Sequence, residues 1–394
     1  MLMTILFVYP WRLDDLGGSQ VSVLLLAEAL RRRGHRVGIV EMGSPRSTRT
    51  VHRFAGQVWA VPEVYPPRRP WSWRGLLRST RHVRRIMGAF KPDIVSVQCP
   101  ARQSLPVIGA HVLPHTWRLV VTARAESEIR AEGTDDRWLQ AWLRRLFRRA
   151  DAVTAVSDAL ARDLIALYPF LRDRCRAIHN GIDPSWLTEP AGPEGPARQR
   201  YVLYVGRLDP SKGIDILLEA WRQVRARAPG IPLYVAGAGP ETDRWRALAQ
   251  HLGVAPDVRF MGRVDQGELP ALYRGADLVV VPSRRRSEGL PRVLLEAGAS
   301  GAVAVATRVG GAPEVIEDSL TGFLVEPDSP DALAAALLRG LGLSAAERRA
   351  MATAAARRIA TWFSHDHTVA AYEELFRSLL APAPVAHGCA TGRS

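Results

Sequence analysis

Two glutamates separated by seven residues, Glu288 and Glu296, have the spacing in this chain that most directly suggests chemistry. Pro291, which lies between them, suits the start of a helix because its φ is already helical and its missing N–H would have no partner there. Glu288 should therefore precede the helix, and Glu296 should lie about a turn and a half inside it. The exposed N–H groups and the positive end of the helix dipole lie between the two carboxylates.

An arrangement of this kind can bind a sugar nucleotide. A helix N-terminus attracts anions, of which phosphate is the most common. A carboxylate within the helix can accept hydrogen bonds from a sugar diol. The spacing alone leaves a second interpretation open, in which Glu296 is a surface residue and Glu288 only caps the helix.

Short apolar strands alternate with helical patterns on both sides of this segment, which predicts α/β domains with doubly wound parallel sheets. The chain opens with a predicted strand at residues 5–9, a helix at 20–33 and a strand at 37–40. A glycine pair, Gly17 and Gly18, precedes that helix and would let a ligand approach the backbone closely. The pair is not a full dinucleotide-binding fingerprint, so it identifies no particular ligand.

Length and composition indicate two globular domains. The chain has 394 residues, 47% of them hydrophobic, with 32 glycines and 28 prolines, which is enough for two separate cores. The proline-rich stretch TEPAGPEGPARQ marks a linker. We predict an N-terminal domain at residues 1–187, a linker at 188–199 and a C-terminal domain at 200–361. A final helix at 362–381 and a disordered tail at 382–394 should follow.

The net charge of +14 is concentrated in the N-terminal half. Residues 1–190 hold 29 Lys and Arg against 17 Asp and Glu, whereas residues 191–394 hold 24 against 22. A basic half favours anionic partners, such as an acidic lipid surface, a phosphorylated acceptor or nucleic acid. Two segments rich in arginine and tryptophan, 66–91 and 137–149, are candidates for lying on an anionic membrane. Alternatively each is a solvated helix face whose apolar residues pack into the core, and this second interpretation is favoured for both segments.

Three scattered cysteines without metal-ligand spacing favour a reducing compartment and predict no metal site. The first residues, MLMTILFVYPW, lack the basic region and the cleavage site of a signal peptide. No apolar run approaches the roughly 18 residues needed to cross a bilayer. We therefore expect a cytoplasmic protein, either soluble or peripheral on the inner face of the membrane.

Five blocks of the C-terminal half occur in a characteristic order. They are YVGRLDPSKGIDILLEA (204–220), VAGAGPE (235–241), FMGRVDQGELPALYRGADLVVVPS (260–283), SEGLPRVLLEAGASG (287–301) and TRVGGAPEVIEDSLTGFLVEPDSP (307–330). Together they resemble the retaining GT-B glycosyltransferases called glycosyl transferases group 1, whose E-x7-E motif matches Glu288 and Glu296. The N-terminal half agrees more loosely. The resemblance implies two Rossmann-like domains facing across a cleft, with the C-terminal helix crossing back to the N-terminal domain.

The resemblance implies roles for individual residues. Arg207 and Lys212 would hold the diphosphate of the donor, which makes chemical sense because two fixed cations neutralise the leaving group. Glu296 would hold the ribose hydroxyls, and Glu288 would contact the transferred sugar and act in catalysis with the two cations. The other implied donor-binding positions are the backbone at Gly289 and Leu290, the base pocket at Arg263 and Val264, the loop residue Gly239, and Gly17 and Gly18 of the opposite domain.

The chain departs from the family at one position of the N-terminal domain. Where the family commonly carries a catalytic-site histidine, the sequence VVTARAES places Arg124. Arg124 either replaces the histidine as an electrostatic group in catalysis or leaves the task to another residue, for which Glu126 and Glu128 are nearby candidates.

The implied function is the transfer of a sugar, with retention, from a UDP- or GDP-linked donor to an unknown glycan, lipid-linked or small-molecule acceptor. It needs neither metal nor cofactor, since the helix end, Arg207 and Lys212 neutralise the charge. A GT-B epimerase or phosphorylase is one alternative, with the same fold and phosphate site but no sugar acceptor. A non-catalytic protein that binds anions or nucleic acid is another. The near-neutral C-terminal half and the lack of a nucleic-acid motif disfavour nucleic acid as a partner.

Overall fold

The computed structural model describes residues 1–13, 17–42, 54–61, 73–111, 115–129, 137–187, 200–284 and 288–381. The predicted linker and the predicted tail lie outside this part of the chain, as do residues 66–72 of the first basic segment. The described residues form two α/β units, each built on one parallel sheet.

Within the described residues, the first sheet has seven strands in the order β3-β2-β1-β4-β5-β6-β7, and neighbouring strands are parallel. The strands are β1 (Thr4–Tyr9), β2 (Arg36–Met42), β3 (Gln57–Val61), β4 (Ile94–Gln98), β5 (Arg118–Ala123), β6 (Ala152–Ala155) and β7 (Cys175–Ala177). The helices are α1 (Gly18–Arg32), α2 (Trp73–Phe90), α3 (Leu105–His111), α4 (Arg137–Arg149) and α5 (Asp158–Leu167). The strand order reverses between β1 and β4, and doubly wound sheets bind ligands at the carboxyl ends beside such a reversal.

The second sheet has six described strands in the order β10-β9-β8-β11-β12-β13, again with parallel neighbours. The strands are β8 (Val202–Val205), β9 (Leu233–Ala236), β10 (Val258–Gly262), β11 (Leu278–Val281), β12 (Val303–Thr307) and β13 (Gly322–Val325). The helices are α6 (Ile214–Arg227), α7 (Thr242–His251), α8 (Leu269–Gly275), α9 (Arg292–Ala299), α10 (Ala312–Val315), α11 (Pro330–Leu341) and α12 (Ala345–Trp362). The two sheets share one strand order, so the chain repeats one Rossmann-like plan, as predicted.

The strands form where the sequence places short runs of apolar residues. The β11 sequence LVVV is buried along its whole length, and so is nearly all of TILFVY in β1. Burial of successive residues means that both faces of each strand are covered, which is typical of parallel strands between helices. No described helix is both long enough and apolar enough to span a bilayer.

The last helix, α13 (His365–Leu380), leaves the second unit and packs on the first. Its side chains Val369 and Phe376 belong to the same buried cluster as Ile5 and Phe7 of β1. The structure therefore confirms that the C-terminal helix crosses back to the N-terminal domain.

The final helix is predicted within residues 362–381, but its apolar pattern starts only at Val369, whereas the helix begins at His365. Ser364 caps the helix, since its Oγ accepts the main-chain N–H of His367 at 3.3 Å. The first turn, HDH, contains no apolar residue, so hydrophobic periodicity could not reveal it.

The Glu373 carboxylate of α13 binds two side chains of the first unit. It lies 2.7 Å from Nη1 of Arg33 and 2.7 Å from Nε2 of His35. His35 Nδ1 accepts the main-chain N–H of Met3 at 3.1 Å, which leaves Nε2 to donate to the carboxylate. Burial raises the pKa of Glu373, but hydrogen bonds from His35 and Arg33 outweigh burial and hold that pKa below its usual value.

Replacing Glu373 by alanine should lower the free energy of unfolding by about 1–3 kcal/mol, because the buried His35 loses its hydrogen-bond partner and Arg33 loses one of its two carboxylates. The matched control is Glu374→Ala, which truncates the exposed neighbour and should change stability by less than about 0.5 kcal/mol. Denaturant unfolding followed by circular dichroism compares the two. Equal stability of both variants would show that this carboxylate does not hold α13 in place.

Candidate active site

Loops that follow the strands of both sheets meet in one cleft. Arg124 follows β5 and Ser157 follows β6, and these residues lie against Gly289 and Gly311 of the second unit. A Cβ at Gly289 would overlap the main-chain oxygen of Arg124, and a Cβ at Gly311 would lie 2.8 Å from that of Ser157. The absence of side chains at both glycines therefore permits this close approach.

Lys212 and Glu288, predicted to contact the diphosphate and the sugar of a donor, touch one another. Lys212 Nζ lies 2.5 Å from Glu288 Oε1, and Ser283 Oγ donates to the same oxygen at 2.8 Å. Gly213 lies at φ +68°, and a Cβ there would overlap the main-chain oxygen of Pro282. The loop after β8 thus packs against the loop after β11, which brings the cation beside the carboxylate.

Arg207 lies on the same loop as Lys212 but extends into solvent. Its side chain is 77% exposed, and Nη2 lies 3.0 Å from Asp209 Oδ2. An exposed pair of this kind contributes only about 0–1 kcal/mol. The guanidinium can therefore turn toward an anion in the cleft at little cost.

Glu296 lies in the second turn of α9, as the spacing predicts, although Pro291 is the N-cap residue and not part of the first turn. Tyr273 Oη donates to Glu296 Oε2 at 2.9 Å, and Arg292 Nη2 donates to Oε1 at 3.3 Å. Burial, followed by the nearby Glu296 charge, raises the pKa of Tyr273 well above its usual value, so the phenol stays a donor.

Arg292, which the sequence analysis missed, links the two units. It is 9% exposed, and its Nη1 donates to Ser22 Oγ of α1 at 3.2 Å. Its Cδ would lie 3.2 Å from a Cβ at Gly18, and Gly17 is the N-cap residue of α1. The sequence did contain a signal for this residue. Arg292 lies one turn before Glu296 on a largely apolar helix, and an arginine that such a helix buries requires a partner.

The other predicted donor-binding positions lie at the same edge of the second sheet. Leu290 is buried, and Arg263 and Val264, exposed and half-buried respectively, follow β10. A Cβ at Gly239, after β9, would overlap the main-chain oxygen of Leu208. Carboxyl ends of parallel strands place all of these residues along one crevice.

Arg124 is held at the opposite wall of the cleft. Its Nε and Nη2 donate to Gln98 Oε1 at 3.1 and 2.7 Å, and its Nη1 donates to Asn180 Oδ1 at 2.7 Å. Its main-chain N–H donates to Glu128 Oε2 at 2.7 Å. Removal from water raises the pKa of Glu128 to about 7 despite this hydrogen bond.

Glu314, on α10, joins the two units away from the donor-binding residues. It accepts the main-chain N–H groups of Asp158 and Ala159 at 2.9 and 2.8 Å, and it lies 2.6 Å from His179 Nε2. Side-chain ligand atoms of Asp158, His179 and Glu314 lie within 4.8 Å of one another. Both Glu314 oxygens already accept N–H donors, so we interpret the cluster as a contact between the units and not as a metal site.

Two family models match the chain over most of its length. The model for glycosyl transferases group 1 matches residues 189–358, and the model for glycosyltransferase family 4 matches residues 16–186. The second match extends the resemblance to the N-terminal half.

Individual relatives extend the match across both units. Phosphatidyl-myo-inositol mannosyltransferase of Mycobacterium tuberculosis is 31% identical over 341 residues, covering 86% of each chain. D-inositol 3-phosphate glycosyltransferase of Corynebacterium glutamicum is 29% identical over 356 residues, covering 82% of this chain and 83% of the relative. The solved structure of Anabaena HepE in complex with UDP-glucose has a TM-score of 0.74 at 20% identity, covering 95% of this chain and 99% of HepE. This likeness supports the predicted GT-B fold.

Replacing Glu314 by alanine should weaken the contact between the units and lower the free energy of unfolding by about 1–3 kcal/mol, since three donors lose their acceptor. Burial raises the pKa of Glu314, but hydrogen bonds from His179 and the two main-chain N–H groups outweigh it, so the pKa is lowered. The stabilisation should therefore be complete above the unfolded pKa of about 4.3 and decline as pH falls through the lower folded pKa.

Denaturant unfolding between pH 3 and 7 measures this contribution, with the exposed Glu326→Ala as the control. If the difference in unfolding free energy between the Glu314 variant and the control did not shrink on acidification, the ionised carboxylate would not be the source of the stabilisation.

Proposed function

The chain belongs to the glycosyl transferases group 1 family, and we propose that it transfers a sugar from a nucleotide diphosphate donor to an acceptor hydroxyl with retention at the anomeric carbon. The observation that carries the proposal is the contact of Lys212 with Glu288 at the sheet edge that also holds Glu296. A cation for phosphate and a carboxylate for a diol then lie on one crevice, which describes a nucleotide sugar. The UDP-glucose bound to the structural neighbour HepE supports this donor class.

Each donor group has a matching protein group in this proposal. Lys212 and Arg207 bind the diphosphate through charge-assisted hydrogen bonds. Glu296 accepts hydrogen bonds from the ribose hydroxyls, and Glu288 accepts them from the transferred sugar. The other proposed donor-binding residues are Gly17, Gly18, Gly239, Arg263, Val264, Gly289 and Leu290.

The reaction exchanges one C–O bond for another at the anomeric carbon. The bond to the β-phosphate oxygen breaks, and its electron pair leaves with the nucleoside diphosphate, whose charge Arg207 and Lys212 neutralise. The acceptor oxygen bonds to the same face of the sugar and passes its proton to the departing phosphate oxygen. Because these two cations and the α9 N-terminus supply the positive charge, we propose that the transfer is independent of metal ions and cofactors.

Helix α2 supplies a second part of the proposal, a peripheral contact with anionic lipid on the cytoplasmic face of a membrane. Its sequence, WRGLLRSTRHVRRIMGAF, contains no acidic residue. Arg78, Arg81 and Arg85 are exposed beside Leu77, which is 55% exposed. A cationic stripe next to an exposed apolar side chain suits the headgroup region. Both helices pack an apolar face into the core, including Val83 of α2 and Phe147 of α4, as predicted from the sequence. Helix α4 is the weaker candidate because, among the described side chains, it has no large exposed apolar residue comparable to Leu77.

Replacing Glu296 by alanine should weaken the binding of the preferred donor by about 10-fold or more, since hydrogen bonds to a charged group contribute about 1.5–3 kcal/mol. Isothermal calorimetry with a panel of UDP- and GDP-sugars first identifies that donor and then measures the variant. Glu296→Gln preserves the side-chain shape, and Glu219→Ala truncates an exposed glutamate of α6 as the control. Unchanged donor affinity in both Glu296 variants would contradict the ribose role.

The same panel tests the reaction when an excess of chelator is added and donor turnover is followed. Turnover that persists in chelator supports the metal-independent mechanism, whereas loss of turnover restored by a divalent cation contradicts it. Release of free sugar phosphate or an epimerised nucleotide sugar, without transfer to any acceptor, would favour a phosphorylase or epimerase.

Vesicles containing anionic phospholipid should co-sediment with the protein at low salt, whereas neutral vesicles should not. Replacing Arg81 and Arg85 together by glutamine should weaken binding by about 30-fold, because each arginine near such a surface contributes about 1 kcal/mol. Replacing Arg222 and Arg227, two exposed arginines of α6, is the matched control. Equal binding by both double variants would exclude α2 as the lipid contact.

A further inference from the structure

The Arg124 guanidinium is a buried cation with neutral partners. It is 7% exposed, and its hydrogen bonds go to the side-chain amides of Gln98 and Asn180, themselves 0% and 8% exposed. In the described part of the chain, no carboxylate forms an ion pair with it. A buried charge is costly unless an opposite charge accompanies it. We therefore expect a bound ligand to supply the negative charge that the described residues do not provide.

The nearby carboxylate of Glu128 does not supply that anion. It binds the main-chain N–H of Arg124 and not the guanidinium. Removal from water raises the pKa of the Glu128 carboxyl to about 7 and so disfavours its charged form, although its hydrogen bonds and the Arg124 charge act in the opposite direction.

Two side-chain amides hold the Arg124 guanidinium near the carboxyl ends of the first sheet. Gln98 ends β4, next to the strand-order reversal of the first sheet, and Asn180 follows β7. These amides use three of the five guanidinium N–H groups, which leaves one N–H on each Nη atom. The two remaining N–H groups are available to a ligand, and a carboxylate offers two oxygens that can accept them.

The position relative to the second unit indicates which part of the donor this anion belongs to. The main chain of Arg124 lies against Gly289, which adjoins Glu288, the proposed sugar contact. Of the two proposed diphosphate ligands, Arg207 extends into solvent, and Lys212 contacts Glu288 from the loop after β8. The transferred sugar is thus the ligand component that fits best.

We propose that Arg124 recognises a carboxylate on the transferred sugar, so that the preferred donor is a nucleotide-linked uronic acid. The proposal rests on the glycosyltransferase function above and names its substrate class. The carboxylate makes no bond in the reaction. Arg124 is a specificity-determining residue in this scheme, because a neutral hexose would leave the buried guanidinium without a counterion.

The test compares donors that differ only in the carboxylate. Calorimetry compares the affinity for UDP-glucuronate with that for UDP-glucose, and the affinity for GDP-mannuronate with that for GDP-mannose. UDP and GDP are the reference ligands that lack a sugar. We expect the wild-type protein to bind the uronate of its preferred base about 10-fold or more tightly than the matching hexose. Arg124→Gln should abolish that preference while leaving affinity for the nucleoside diphosphate within about 2-fold. Arg124→Lys, which keeps the charge, should retain part of it.

Arg172→Gln, at an exposed position of the first unit, is the control and should keep the full preference. Circular dichroism and retained nucleoside diphosphate binding establish that each variant is folded. If Arg124→Gln does not fold, the wild-type preference and the lysine variant still decide the outcome.

Three results would overturn the inference. Equal wild-type affinity for uronate and hexose would remove the substrate class, and weaker UDP or GDP binding by Arg124→Gln would make Arg124 a diphosphate ligand. Either result leaves the proposed transferase function intact. Failure to bind any nucleotide or nucleotide sugar would overturn the function and the inference together.

Discussion

Both sheets are parallel, and this constraint determines where the protein can do chemistry. A parallel strand must be followed by a crossover, so the strands of one sheet deliver their loops to the same edge. Lys212, Glu288 and Arg124 follow three strands of two sheets and still reach one cleft. Their proximity therefore results from topology, since residues 76 positions apart in the case of Lys212 and Glu288 share no local motif.

The two units approach one another more closely than ordinary side chains allow. Gly289 and Gly311 are needed there for space and not for a left-handed backbone. Polar side chains then reach across the same boundary, Arg292 to Ser22 and Glu314 to the start of α5. Short main-chain contacts and long charged side chains together define the cleft, so a change at either glycine would alter the geometry of both walls.

The sequence predicted the fold well because its strands are continuous apolar runs between turn residues. Strand β1 was predicted at residues 5–9 and is observed at Thr4–Tyr9, and α9 begins within one residue of its predicted start. The site was predicted less completely. Glu296 could be placed from the sequence because Pro291 marks where α9 begins, and a short count along the helix then reaches its second turn. Arg292 reaches Ser22, and Arg124 reaches Gln98 and Asn180, only because separate strands and units pack together, and spacing within one segment does not encode that packing.

The charged side chains on the two walls of the cleft have different partners. On the first unit, the Arg124 guanidinium binds neutral amides, whereas the cations of the second unit are paired with carboxylates. On the second unit, Lys212 is already paired with Glu288 and Arg292 with Glu296. A diphosphate that replaces Glu288 at Lys212 would release a carboxylate oxygen for the sugar hydroxyls. This exchange costs less than burying new charges, because both side chains are already largely removed from water. Recognition of the phosphate and recognition of the sugar would then be coupled, since the carboxylate becomes available when the phosphate replaces it at the lysine.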